Sequence, residues 1–412
     1  MKVWSAPARG RLIVSAVLGG YFIALFAAGG HDAWVHFQVP ALRPTFLDAR
    51  TITTGWDCTR KGVDVLPLNP CDPYRRPANY PRLWFLPSHL GLGEGATVAL
   101  GLLTAAAFLV AVLLVMGRVR RLGDALVWAL ALTSPAVMLG IERGNIDLLV
   151  FALLVLALIL LWRRRPLVQD VAHGLFLLAA MLKLFPVFAF GVLLRQRRTG
   201  AVVRTAVVVL AFGVYAVATL ADIRTIRRVV PQLISYSYGL TVGSQVARRA
   251  LANLSPAFRS VTHGSAGWVV TWLMVVAAIS VGVAVACHWR PAVTEGRALD
   301  AFWAGAAIYV GTYVAERNFD YRLCFLLLTL PQLLRWSRDS WLARITLGAV
   351  ILTLWLSEPL TNWNANYSFE ELLNWLLFAS FAGMLLATRP RLFQRPSDSA
   401  TNDPTSASAN RS

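Results

Sequence analysis

About twelve apolar runs decide what this chain can become. They fall at roughly 12–28, 96–116, 124–140, 146–162, 167–182, 184–194, 201–220, 267–287, 298–315, 320–335, 341–357 and 370–388. An α-helix needs ~20 apolar residues to cross the hydrocarbon core of a bilayer. In lipid the backbone must satisfy its own N–H and C=O groups, so only helices and closed barrels span. Barrel strands alternate in polarity, and these runs do not. The expectation is an all-α polytopic membrane protein with about twelve transmembrane helices. Only 15% of the 412 residues are charged, where a soluble domain has about a quarter.

The formal net charge is +18. In a soluble protein that excess would point to nucleic acid. Here no zinc-finger spacing or RNA-binding motif accompanies it, and no nucleic-acid partner is expected. The arginines gather instead in short loops between apolar runs: "RVRR" (118–121), "WRRRP" (162–166), "RQRR" (195–198), "RWSRD" (335–339) and "RPRLFQR" (389–395). The positive-inside rule makes all of these cytoplasmic if the N-terminus is cytoplasmic and if 167–194 is a hairpin rather than one long helix kinked at Pro186. The hairpin is preferred, with its tip "KLFP" (183–186) outside.

This map gives cytoplasmic N- and C-termini and a bacterial inner-membrane location. It also gives one domain over 1–395 and a disordered cytoplasmic tail over 396–412. The first run is read as an uncleaved helix, because it is long for a signal peptide and no small-x-small site ends it.

Almost every unusual polar residue then falls on the outer face. The first outer segment is 29–95 and the second 221–266. Between other helices lie "ERGN" (142–145), "ERNFDYR" (316–322) and "SEPLTNWNANYSFE" (357–370). The first segment holds Asp32, Asp48, Asp57, Asp64 and Asp72, five carboxylates among which a general base can be sought. It also holds Cys58 and Cys71, with no metal-ligand companions, and a disulfide between them fits an oxidising compartment. Trp34, Trp56 and Trp84 suit an interfacial belt. Arg143, Lys183 and Arg322 are cations that can hold a phosphate. Glu142, Asn145, Asp147, Glu316, Arg317 and Asp320 accompany them. No nucleotide-binding glycine loop, His-rich metal motif or Gly-x-Ser-x-Gly elbow is present, so no metal and no cofactor is expected.

Each choice has a plainer competitor. Asp48 can simply cap a helix beginning near Ala49, and Asn145 can cap the next. Asp147 can complement a helix dipole. Lys183 can snorkel to the interface. Glu316, Arg317, Asp320 and Arg322 can form an ion cluster among themselves. Asp57, Asp64 and Asp72 read as turn-formers.

"ERGNIDLLVFALLVLALIL", followed by "LLAAMLKLFPVFAFGVLL" and later by "ERNFDYRLCFLLLTLP", resembles glycosyltransferase family 87, over about residues 120–335. The resemblance implies a GT-C-like enzyme that moves mannose or a similar sugar from a polyprenyl-phosphate donor to a glycolipid or glycan acceptor. Transfer would invert the anomeric centre at the extracytoplasmic face. It also implies an acidic base in the first outer loop: Asp48 in "FLDAR", or alternatively Asp32 in "GGHDAW". The competing function is a transporter or flippase of lipid-linked sugars. Ion-coupled transporters place ionisable side chains near the bilayer midplane, and here Asp147, Asp300, Asp320 and Arg322 sit near the ends of runs.

Overall fold

The structure is a computed structural model that describes residues 6–117, 119–163, 165–196, 200–231, 236–254, 267–291, 296–315, 317–356 and 364–389. Glu316, the 396–412 tail, residues 357–363 and parts of the second outer segment lie outside the described residues.

The apolar runs form helices that carry the chain back and forth between two ends of one bundle. At one end Arg11 donates to the carbonyl of Gly117 (2.8 Å), Arg338 pairs with Asp124 (3.4 Å) and Trp303 donates to Thr388 (3.0 Å). At the other end Thr53 meets Thr97 (2.6 Å) and Arg82 pairs with Asp222 (2.8 Å). Arg11, Arg195 and Arg338 gather at the first end, and the first outer segment covers the second.

Among the described residues, six helices are long and apolar enough to cross a membrane: Arg9–Ala27, Glu94–Val115, Ala201–Ala218, Thr271–His288, Arg297–Ala315 and Phe369–Ala387. A seventh span forms if Leu122–Leu132 and Pro135–Arg143 act as one, bent by 48°. Pro135 opens the second of these and supplies no N–H to continue the first, which accounts for the break. Three apolar helices are shorter: Asp147–Leu161, Phe185–Arg195 and Trp341–Leu356. Twelve full-length α-helical spans are therefore not what length and composition give.

The stretch after residue 166 turns back on itself. Pro166–Lys183 is α-helical and Phe185–Arg195 is a 3₁₀-helix. Asp300 accepts from Trp162 (2.9 Å), just before the first of these, and from Arg195 (3.1 Å), at the end of the second. The two ends of the stretch thus meet, which only a hairpin allows. The turn falls at Leu184, at φ 57° and ψ −54°, a region that side chains other than glycine occupy at a cost.

Helices are not the whole of the fold. Ser237–Tyr238 and Asn318–Phe319 pair antiparallel, Ser237 opposite Phe319 and Tyr238 opposite Asn318. This short ladder ties the second outer segment to the 3₁₀-helix Asp320–Leu328. Beneath it Phe108, Phe151, Phe325 and Phe185 form a chain of ring contacts with centroids 5.0–5.9 Å apart.

The first outer segment is packed rather than loose. Leu47–Arg60 forms a helix whose apolar face lies against the 3₁₀-helix Arg82–Leu90. A disulfide joins Cys58 to Cys71, with Cα atoms 5.9 Å apart. The tryptophans depart from the belt expectation. Trp34, Trp56 and Trp84 are all buried. The Trp56 indole donates to the Trp84 carbonyl, and that of Trp84 to the Leu182 carbonyl (3.0 Å). Trp56 and Trp84 thus fasten the segment to the hairpin, while Trp34 packs edge-on against Phe22.

Closing a loop of this length by a disulfide stabilises by about 3 kcal/mol. The double variant Cys58→Ser, Cys71→Ser is expected to melt at lower temperature in detergent. Reductant should lower the wild-type melting temperature to the same level and leave the variant unmoved.

Candidate active site

The site begins with a helix end. Pro135–Arg143 stops at Gly144, whose φ of 57° is left-handed. The Asn145 N–H bonds the Gly140 carbonyl (2.9 Å) and the Gly144 N–H bonds that of Ile141 (3.0 Å). This is a Schellman ending, and glycine suits its left-handed position. A Cβ on Gly144 would also come within 3.1–3.2 Å of Gly101, Phe46 and Ala49. "ERGN" therefore turns sharply and lets the Leu47–Arg60 helix approach closely.

That approach positions Asp48. It is the second residue of the Leu47–Arg60 helix, and no side chain caps the helix start. The capping role considered for Asp48 is therefore not the one it has. Its Oδ2 accepts from Asn145 Nδ2 at 2.6 Å, and its Oδ1 lies 3.5 Å from Arg76 Nη1. Asn145 also holds the start of the next helix, its Oδ1 accepting the Asp147 N–H at 2.8 Å.

Asp48 lines a cavity of about 560 Å³, together with Arg76, Arg143, Tyr80 and Tyr321. The segment between the strand pair and Leu220–Val229 contributes Val229, Pro231 and Tyr236 to another wall. The lining is mostly apolar, with the charged groups collected near Asp48.

Arg76 escaped the sequence reading. Its guanidinium bonds both oxygens of Asp72 (3.1 and 2.8 Å) and the Leu47 carbonyl (2.6 Å). Asp72 is buried, which opposes its ionisation, but Arg76 and the N–H groups of Tyr74 and Arg76 hold its carboxyl below the ordinary range. The one sequence cue was the spacing of Asp72 and Arg76, four residues apart in a loop shortened by the disulfide.

Behind Tyr80 lies a second cluster. Asp147 is fully buried, 3.0 Å from Lys183 Nζ and 3.2 Å from Arg322 Nε. Lys183 also sits 4.5 Å from the centre of the Tyr80 ring, and Arg322 4.2 Å from that of Phe185. Lys183 does not snorkel outward; it turns inward to the carboxylate. Arg322 pairs with Asp147 and donates to Asn318, so the cluster weighed for it with its own neighbours is not where its charge goes. Arg317 donates to Gln245 (3.3 Å), and Asp320 is buried in the first turn of its 3₁₀-helix.

Of the three cations read as phosphate ligands, only Arg143 borders the cavity. It pairs with Glu142 (3.2 Å), whose other oxygen accepts the Leu42 N–H (3.3 Å), and it donates to the Pro40 carbonyl (3.2 Å). Asp32 is on the exposed rim, paired with Arg43 at 2.6 Å, and does not line the cavity. Asp57 and Asp64 hold turns and loops: Asp57 accepts the Glu94 N–H (2.8 Å) and Asp64 that of Leu66 (3.2 Å).

The charges are unevenly distributed. Asp48 and Asp72 share Arg76, leaving a surplus negative charge at the cavity wall. Lys183 and Arg322 share Asp147, leaving a surplus positive charge behind the tyrosines. A carboxylate beside open space, with cations in reach, can take a proton from a hydroxyl while a departing anion is stabilised.

Residues 82–315, over half of the chain, match glycosyltransferase family 87. No curated protein and no solved structure matches the chain.

Removing one partner of a buried ion pair costs about 3–5 kcal/mol, because the other charge stays buried. Asp147→Asn should therefore lower the melting temperature sharply. Asp147→Asn combined with Lys183→Met should cost less than the sum of the two, as a double-mutant cycle by thermal unfolding would show. Gly144→Ala should destabilise by about 1–3 kcal/mol through backbone strain alone, with the crowding against Phe46 added to it.

Proposed function

The chain belongs to glycosyltransferase family 87 and is a membrane glycosyltransferase; from that premise we propose that it moves a hexose or pentose from a polyprenyl-phosphate donor to a glycolipid or glycan acceptor, with Asp48 as general base. The observation that carries this reading is the cavity that holds the Asp48 carboxylate, two guanidinium groups and several tyrosines within a mostly apolar wall. A sugar needs polar contacts and aromatic faces, while a prenyl chain needs apolar surface.

In this reaction the acceptor hydroxyl gives its proton to Asp48 as its oxygen bonds the anomeric carbon. The bond from that carbon to the phosphate oxygen breaks on the opposite face, its electron pair leaving with the polyprenyl phosphate, and configuration inverts. Asn145 fixes the orientation of Asp48 through its 2.6 Å hydrogen bond. Arg143 and Arg76 are the cations nearest the open space, and Lys183 and Arg322 supply positive potential from behind Tyr80. A phosphate leaving group stabilised in this way needs no cofactor.

The side of the membrane follows from charge. Among the described residues, Arg11, Arg195, Arg335 and Arg338 lie at the end away from Asp48, and by the positive-inside rule we read that end as cytoplasmic. It puts both termini there and the cavity on the extracytoplasmic face of a bacterial inner membrane. Twelve crossings belong to this reading, counting the three shorter apolar helices, Pro166–Lys183 and the stretch from Asp320 to Trp336.

Purified protein in lipid, supplied with polyprenyl-phosphate sugars, tests the proposal. Asp48→Asn should lower kcat by about 10²–10⁴, the usual worth of a general base, while Asp32→Asn stays near wild type. Full transfer by Asp48→Asn overturns the base assignment. Movement of lipid-linked sugar across liposomes with no covalent change favours the flippase instead.

A further inference from the structure

We propose that the end of the bundle opposite Asp48 carries a second binding site, for the phosphate-bearing headgroup of an anionic phospholipid. A cavity of about 310 Å³ opens there, where Thr97–Val115 and Asp147–Leu161 end and where Leu122–Leu132 and Arg297–Ala315 begin. Its polar side carries Arg297, Arg335 and Arg338 against one carboxylate, Asp124. Arg338 pairs with Asp124 at 3.4 Å. Among the described residues, Arg297 and Arg335 have no carboxylate within ion-pair distance. Two positive charges therefore face the cavity uncompensated.

The remaining walls choose among anions. Leu114, Val115 and Ile159 line the cavity, and Leu114 is 55% exposed on the flank of the bundle. Val110, one turn away, is exposed too. The apolar wall is therefore continuous with surface that acyl chains cover. Trp162 stands between the two regions. Its indole N–H is bonded to Asp300, and its ring lies 5.1 Å from the Arg297 guanidinium. Cations at headgroup depth, apolar surface at acyl depth and an indole between them match an anionic lipid standing upright. A free phosphate would use the arginines and leave the apolar flank unused. The site is at the other end of the molecule from Asp48, so it does not rest on the transferase reading.

The test compares full-length protein purified with phosphatidylglycerol and with phosphatidylcholine, read by native mass spectrometry and thermal unfolding, with inorganic phosphate as a separate arm. Phosphatidylglycerol should be retained in preference and raise the melting temperature. Each arginine near a membrane surface contributes roughly fivefold to such binding. Arg335→Gln, at an exposed position, should weaken retention by about that factor, and Arg297→Gln with Arg335→Gln by roughly the square of it, while Asp48→Asn changes nothing. Equal retention of both lipids, or wild-type retention by the double variant, overturns the site. Equal protection by inorganic phosphate alone overturns the lipid assignment.

Discussion

The buried Asp147 carboxylate is the interaction on which the rest of the structure depends. An ionised group without exposure is tolerated only when paired and hydrogen-bonded. Here the partners come from distant parts of the sequence: Lys183 from the tip of a hairpin and Arg322 from the 3₁₀-helix after the short ladder. Asp147 also lies in the first turn of its own helix, where the macrodipole favours negative charge. One side chain thus registers three membrane segments against each other, above a row of phenylalanine rings. If the hairpin slid along the bundle, a charge would be stranded in the core.

The same point of the chain sets the reacting side. Asn145, two residues before Asp147, bonds both the Asp147 N–H and the Asp48 carboxylate. The glycine before it makes room for the helix that carries Asp48. Asp48 and the cation cluster are therefore linked through one short turn of backbone. Their opposite surplus charges follow from counting: two acids to one arginine on one side, two cations to one acid on the other. A reaction that separates a proton from a departing phosphate is served by that polarity.

Much of this was legible in the sequence. Apolar runs and basic loops foretold a helical bundle with a plain end and a chemically busy one, and the hairpin at "KLFP" followed from loop charge. "ERGN", "KLFP" and "ERNFDYR" stood out because they carry ionisable residues in the loops opposite the basic ones. What stayed hidden depended on the third dimension. Arg76 looked like one basic residue among several until Asp72 and Asp48 were seen on either side of it. Trp56 and Trp84 read as a lipid belt because composition cannot say that their indoles bond backbone carbonyls. The run at 184–194 looked too short to span alone as an α-helix. As a 3₁₀-helix rising ~2 Å per residue it reaches about 22 Å, further than hydropathy windows assume. Two residues of strand pairing leave no periodic signal at all.

The disulfide in the outer segment has a consequence for how the molecule is assembled. The helices need only a bilayer, and their pairing can be complete as soon as they are inserted. Cys58 and Cys71 need an oxidant as well, and thiols join only where one is available. The covering over Asp48 is therefore finished last, after the scaffold beneath it. A cell that inserts the chain but fails to oxidise it would hold a protein with its membrane part in order and its reaction chamber unsealed.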